Sequence, residues 1–201
     1  MKSDIFSYKK RLLRQFYLRY NRMKFSLCKV NFKRNISVYN KIYLEISQDS
    51  EVTIGENFVM TSGDSFNPLC RSQRACIYVE KGASLVIGNN VGASSPSIWV
   101  KSSVKIGDNV KIGGDSIILD TDCHSINYLI RRDPKRDGSE ANSSSIIIED
   151  DVLIGTRCII LKGVKIGARS IIAAGSVVSK SIPSDCIAAG NPAVVVRNLK
   201  E

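Results

Sequence analysis

Residues 148–178 read IEDDVLIGTRCIILKGVKIGARSIIAAGSVV, and within them Ile148, Ile154, Ile160, Ile166, Ile172 and Val178 stand six residues apart. The same beat runs upstream through Val100, Ile106, Ile112 and Ile118. A helix repeats its buried face every 3.6 residues and a strand every 2, so neither alone explains an apolar residue at each sixth position. Three straight segments of six residues per turn do explain it: each points one anchor inward, and anchors of successive turns stack. The residue after the anchor is small at Gly107, Gly113, Gly155, Gly167 and Ala173, which suits both the backbone angles and the limited space of a corner. The fifth position is again small or modestly apolar, at Val104, Val110, Ser116, Val152, Cys158, Val164, Ser170 and Ser176. The pattern predicts an all-β chain wound as a parallel β-helix. A sandwich of hairpins is the alternative, but hairpin proteins rarely hold one apolar period through so many turns.

Weaker anchors precede this region at Ile54-Gly55 and Ile87-Gly88, and Thr61 to Arg74 reads as an inserted loop. The expected organisation is a basic helical segment over 1–45, the coil over 46–190 with an extruded loop at 124–145, and a C-terminal tail over 191–201.

The 201 residues suffice for one substantial domain, and their net charge of +10 is unevenly spread. Residues 1–45 hold 12 Lys or Arg against Asp4 and Glu45, while the rest is balanced at 17 of each sign. Ile5, Tyr8, Leu12, Leu13, Phe16, Tyr20 and Met23 fall on a helical stripe, with Lys9, Lys10, Arg11, Arg14, Arg19 and Arg22 around them. Such a helix either adsorbs through residues 1–25 to anionic lipid headgroups or packs its stripe on the solenoid and solvates its charges. Nucleic acid is set aside as a partner, because no nucleic-acid-binding fold accompanies the basic segment. No stretch has the length of a membrane span or the form of a signal peptide, so the chain is expected in the cytoplasm. Six cysteines without metal-type pairing fit free thiols in a reducing compartment, and no metal site is expected.

The hexads stop after Asp122, and the polar run that follows carries Arg131, Arg132, Asp133, Pro134, Lys135, Arg136, Asp137 and Gly138. A loop extruded from a rigid coil is where binding groups belong. It opens on His124, the only histidine of the chain. A hydroxyl is a weak nucleophile at neutral pH, and an imidazole that takes its proton supplies roughly 10²- to 10⁴-fold. One ring nitrogen would accept that proton while a carboxylate or carbonyl holds the other. Asp120, Asp122 and a loop carbonyl all qualify for that partner role, and Asp120 and Asp122 also stand as candidate substrate contacts. Cys123 offers a rival route through an acyl-thiol, but adjacent residues on extended backbone point in opposite directions.

Residues 100–197 resemble the hexapeptide-repeat acyltransferases, and among them the maltose, galactoside and capsular-polysaccharide O-acetyltransferases. The resemblance rests on Asp120-Thr121-Asp122-Cys123-His124, on the unbroken hexads from Ile148 to Lys180, and on Ile182-Pro183 through Ala188-Ala189-Gly190-Asn191-Pro192-Ala193 to Arg197. It implies a left-handed coil, acetyl-CoA as donor, a carbohydrate acceptor, His124 as general base, and a homotrimer whose donor lies between two subunits. The positions that align by motif with donor contacts are Thr156, Ala174, Ser179, Lys180 and Arg197. Leu153 stands where an aromatic residue is common in that group, and Val194 where a basic one is.

Three functions remain in view. The first is O-acetylation of a sugar in a surface polysaccharide or its precursor. The second is N-acetylation of a nucleotide-linked amino sugar, which needs the same donor and base. The third is a non-catalytic β-helix scaffold. A zinc enzyme on the same coil is excluded, since its site needs three histidines.

Overall fold

The N-terminal helix α1 (Lys2–Leu27) ends in a Schellman turn that delivers the chain straight into the first coil. The amide of Val30 donates to Phe25 C=O and that of Lys29 to Ser26 C=O, both at 3.0 Å, with Lys29 in the left-handed region at φ 56°. This is a computed structural model that describes residues 2–63, 66–70 and 73–200; in the helix it describes the side chains of Tyr8 and of Arg11 onward. The expected stripe position Ile5 and the flanking Lys9 and Lys10 lie outside the described side chains.

Six coils follow, each contributing one strand to each of three faces. They are β1 (Asn31–Phe32), β2 (Ser37–Tyr39), β3 (Tyr43–Ile46); β4 (Glu51–Ile54), β5 (Val59–Thr61), β6 (Cys76–Val79); and β7 (Ser84–Ile87), β8 (Gly92–Ser94), β9 (Ser97–Val100). Then come β10 (Ser103–Ile106), β11 (Lys111–Ile112), β12 (Ile117–Leu119); β13 (Ile146–Ile148), β14 (Leu153–Ile154), β15 (Ile159–Leu161); and β16 (Lys165–Ile166), β17 (Ile171–Ile172), β18 (Val177–Val178). The first face runs β1-β4-β7-β10-β13-β16, the second β2-β5-β8-β11-β14-β17, and the third β3-β6-β9-β12-β15-β18, every step parallel. The fold is a left-handed parallel β-helix. The ten anchors from Val100 to Val178 are at most 4% exposed, and each such aliphatic burial contributes about 1.5–3 kcal/mol against the unfolded chain.

Two boundaries differ from those expected. The coil begins at Asn31 rather than 46, because Val30, Ile36 and Ile42 already keep the six-residue spacing and are buried, although Lys33, Arg34 and Asn35 between them read as surface charge and turn. The segment from 191 is not a loose tail. β19 (Cys186–Gly190) joins β17, and β20 (Ala193–Asn198) folds back antiparallel on it, so the last edge of the second face is paired.

The corners also work differently from the expectation. The left-handed residues are mostly asparagine, aspartate and arginine one place before the inward fifth position, as at Asn90, Asn109, Asp151 and Arg169, all near φ 60°. Asn57, Asn90 and Asn109 stack there, with amide bonds of 3.0 and 3.1 Å. The small residue after the anchor serves space instead: a Cβ on Gly155 would lie 2.5 Å from the backbone N of Ala174 in the next coil.

Helix α1 packs at the N-terminal end of the coil, against β2. Asn21, 1% exposed, donates from Nδ2 to the carbonyls of Val38 (2.8 Å) and Asn40 (2.9 Å), while Phe25 is fully buried 6.2 Å from the Phe32 ring. Arg14 reaches the Tyr39 hydroxyl at 2.9 Å and lies 4.5 Å over its ring. The apolar stripe read from the sequence therefore does not dock. Tyr8, Leu12, Leu13, Phe16 and Met23 are all more than half exposed, because the docking face is set by Asn21 and Phe25 instead. Between β5 and β6, Phe66 stacks on Tyr39 at 5.2 Å, and Ser62 Oγ accepts from Ala75 N–H at 2.9 Å and donates to Lys41 C=O at 2.7 Å.

Candidate active site

His124 stands where the chain leaves the third face after β12. Its amide donates back to Asp122 C=O at 2.7 Å across Cys123, which is held at φ 61°. A non-glycine residue in that region costs energy that the surroundings must offset, and such strain gathers at functional sites. The exit is pinned on both sides. Asp122 N–H donates to Asn142 C=O and Ser144 N–H to Asp120 C=O, both at 2.9 Å, with Thr121 bridging Ser143. Between these pins a short helix α2 (Tyr128–Arg131), capped by Asn127, gives the loop an ordered interior.

The partner of the imidazole is Asp137, thirteen residues on. Its Oδ2 lies 2.6 Å from His124 Nδ1, and its Oδ1 accepts from Ser125 N–H at 2.8 Å. The His124 contact and the Ser125 amide hold the Asp137 carboxyl below the usual carboxylate range. An ionised carboxylate only accepts, so in the neutral imidazole Nδ1 carries the ring proton and the lone pair is on Nε2. The His124 side chain is 69% exposed and that of Asp137 only 14%, which leaves the free nitrogen open while its support is covered.

Neither aspartate expected beside the imidazole plays that part. Asp120 is fully buried, its Oδ1 accepting from Lys101 N–H (2.7 Å) and its Oδ2 from Ser102 N–H (2.8 Å). Burial raises its carboxyl above the ordinary value, against those amides. It braces the corner below the loop. Asp122 is partly exposed and pairs with Lys162 Nζ, one coil on, at 2.8 Å. In the sequence Asp137 is only one charge of a polar loop, since a contact made across thirteen residues of irregular backbone has no periodicity to announce it. Cys123 is partly buried, and desolvation first, then the carboxylate of Glu80, push its thiol up, so it is held as a thiol rather than a thiolate.

The five expected donor residues occupy three places. Thr156 and Ala174 share the corner between the second and third faces, one coil apart, where Gly113 and Gly155 leave no room for side chains. Gly175 N–H donates to Thr156 C=O at 2.8 Å, tying these turns together. Ser179 and Lys180 lie across the third face, at the corner that also carries Lys162 and the base of the His124 loop, and both are exposed. Arg197 lies apart on β20, exposed at the end of the second face. Between the two corners, toward the N-terminal coils, the third face holds an open groove of about 520 Å³ whose lining includes Tyr43, Glu45, Arg74, Tyr78 and Trp99. Tyr78 and Trp99 meet edge to face at 5.0 Å, and Trp99 Nε1 donates to Glu80 at 2.7 Å. All six cysteines are free, and among the described residues no cluster of His, Cys, Asp or Glu converges as metal ligands would.

Comparison with known proteins points one way. A family profile described as "Bacterial transferase hexapeptide (six repeats)" matches residues 145–180. The galactoside O-acetyltransferase of Escherichia coli (strain K12) is 35% identical over 126 residues, 62% of this chain and 59% of that protein. A 2,3,4,5-tetrahydropyridine-2,6-dicarboxylate N-acetyltransferase of Staphylococcus aureus (strain JH9) is 45% identical over 60 residues, 30% of this chain and 25% of that protein. Among solved structures, a hexapeptide-repeat acetyltransferase of Vibrio cholerae O1 biovar eltor, complexed with acetyl coenzyme A, superposes with a TM-score of 0.53 at 33% identity, covering 64% of this chain and 70% of that one. The chain thus spans about three fifths of the galactoside enzyme and a quarter of the N-acetyltransferase.

Proposed function

The chain belongs to the hexapeptide-repeat acyltransferase family, and on that footing we propose that it transfers an acetyl group from acetyl-CoA to a carbohydrate hydroxyl of a surface polysaccharide or its precursor. The observation that carries this reading is the 2.6 Å contact between His124 Nδ1 and a covered, ionised Asp137, with the rest of the ring open at the mouth of the loop. His124 Nε2 takes the hydroxyl proton as the oxygen attacks the thioester carbonyl, and the imidazolium so formed, stabilised by Asp137, returns that proton to the departing sulfur. Asp122, the partly exposed member of the aspartate pair, holds Lys162 through Oδ1 and meets an acceptor hydroxyl through Oδ2. The aromatic faces of Tyr78 and Trp99 offer a sugar ring an apolar wall on the same side of the coil.

A thioester donor fits the chain in two respects. The stacked corner of Gly113, Gly155 and Ala174 presents bare backbone to an extended pantetheine arm, with Thr156 beside it. Lys180, with Ser179 beside it, and Arg197 are exposed cations for phosphate groups, where each charge-assisted bond is among the stronger polar contacts. The same reading makes the working unit a homotrimer with the donor between two coils. The outward residues Ile117, Leu119, Ile159, Leu161 and Val177 of the third face supply apolar surface for that contact, and light scattering should return three chain masses. Action in the cytoplasm, where acetyl-CoA is made, goes with it.

N-acetylation of an amino sugar is the second reading, favoured by the 60-residue stretch shared with an N-acetyltransferase. One experiment separates them: release of free thiol from acetyl-CoA across a panel of hydroxyl and amino sugars, with His124→Ala alongside. Turnover of hydroxyl acceptors that falls at least about 10²-fold in His124→Ala supports the proposal. Turnover of amino sugars only selects the second reading, and neither thiol release nor acetyl-CoA binding would make the chain a scaffold.

A further inference from the structure

Helix α1 is docked by one side and apolar on the other. At 100° per residue, Asn21 and Phe25 mark the side held by the coil, and Tyr8, Leu12, Phe16 and Met23 fall roughly opposite. They are 62%, 52%, 58% and 55% exposed. Phe16 and Tyr20 stack at 5.9 Å, so the patch has a flat aromatic centre. Arg11, Arg19 and Arg22 border it along one edge, all exposed, and among the described residues none of the three pairs with a carboxylate. Over residues 1–44 the only acidic residue is Asp4, and no described helix is long and apolar enough to cross a membrane.

We propose that this outer face of α1 is a peripheral docking surface for an anionic lipid bilayer, with the Leu12-Phe16-Met23 patch entering the headgroup boundary and Arg11, Arg19 and Arg22 meeting lipid phosphates. Charge selects the occupant. A second copy of the same helix brings these arginines against their own kind, because a two-fold contact pairs a surface with itself. An anionic bilayer neutralises them and accepts apolar and aromatic side chains at the same depth. Each basic residue at such a surface strengthens partitioning about fivefold, so the three arginines together are worth about 10²-fold. The docked side needs no rearrangement, since Asn21 and Phe25 keep the helix on the coil while the opposite side meets lipid. This inference is independent of the acetyl-transfer reading and of the residues that support it.

The test is flotation of the full chain with vesicles of phosphatidylcholine alone and of phosphatidylcholine with phosphatidylglycerol, at low and high salt. The expected result is partitioning into the anionic vesicles only, weakened by salt. Arg11→Gln/Arg19→Gln/Arg22→Gln should lose about 10²-fold and Leu12→Glu/Phe16→Glu nearly all of it. Circular dichroism and melting should be unchanged in both variants, because all five side chains are exposed. Absence of wild-type partitioning would overturn the proposal, as would equal binding to both vesicle types or partitioning that survives both variants. So would an oligomer of the wild type that Leu12→Glu/Phe16→Glu dissolves, without any lipid binding, since that marks the face as a protein contact.

Discussion

Asp137→Asn probes the way the imidazole is held. In the structure the carboxylate is a fork, with Oδ1 accepting from Ser125 N–H at 2.8 Å and Oδ2 facing His124 Nδ1 at 2.6 Å. Asparagine keeps the Ser125 bond through its carbonyl oxygen and so turns its NH₂ toward Nδ1. Nδ1 must then accept, the ring proton moves to Nε2, and the nitrogen needed as base is blocked. A positioned base supplies about 10²- to 10⁴-fold, so the loss in kcat should be about 10²-fold or more and approach that of His124→Ala. Asp137→Ala leaves the ring free to sample both tautomers and should cost less, about 10- to 10²-fold, as removal of a group that orients a working histidine commonly does. Thiol release at saturating acetyl-CoA measures kcat. KM for acetyl-CoA should stay near the wild-type value in both variants, because the loop contact lies away from the Thr156–Ala174 corner. The double variant His124→Ala/Asp137→Asn should be no slower than His124→Ala alone. Retention of half the wild-type kcat by Asp137→Asn, or losses that multiply in the double variant, would refute the tautomer argument.

Other consequences follow from single residues. Cys123→Ser should keep kcat within about threefold of wild type, because burial holds the thiol protonated and the proposed route does not use it; a loss comparable to His124→Ala would revive an acyl-thiol route. Gly155→Ala places a methyl 2.5 Å from the Ala174 backbone N and should cost about 1–3 kcal/mol of stability by melting, together with a raised KM for acetyl-CoA. Asp185 is clamped first by Arg169 (2.5 and 2.7 Å) and then by Lys200 (2.8 Å), which hold its carboxyl far below the carboxylate range. A lowered folded-state value stabilises fully above the ordinary aspartate pKa of about 4 and is lost as pH falls through the folded value. Melting temperature should therefore drop in Asp185→Asn at pH 7, and the gap to wild type should narrow steadily on acidification below about pH 4.

The coil was legible because its rule is local and repeated. Ile154 and Ile160 announce their burial by spacing alone, and so does every anchor from Val100 to Val178. The first coil was harder to read, since Val30, Ile36 and Ile42 keep the spacing but sit among lysines and arginines that a composition reading assigns to a separate segment. Helix α1 shows a different limit. Hydrophobicity identified an apolar stripe, yet the docking side was chosen by one asparagine amide and one phenylalanine fitting the open end of the coil, which no moment along the sequence reports. At the site, His124 was legible as the lone histidine in the gap of the repeat. Its partner was not, because Asp120 and Asp122 are nearer in sequence but have their carboxylates committed to the Lys101 and Ser102 amides and to Lys162. The corners taught the reverse lesson for glycine: Gly155 is small for the sake of the coil above it, and the left-handed angles fall on Asn90 and Asp151.

Acetyl transfer by this route requires the thioester of the donor to meet the free nitrogen of His124. A crystal structure of the chain with coenzyme A tests it directly. The sulfur should lie about 3–4 Å from His124 Nε2, with the pantetheine arm along the coil past Thr156 and Ala174 and the phosphates near Lys180 or Arg197. Coenzyme A seated elsewhere, with its sulfur out of reach of His124, would contradict it.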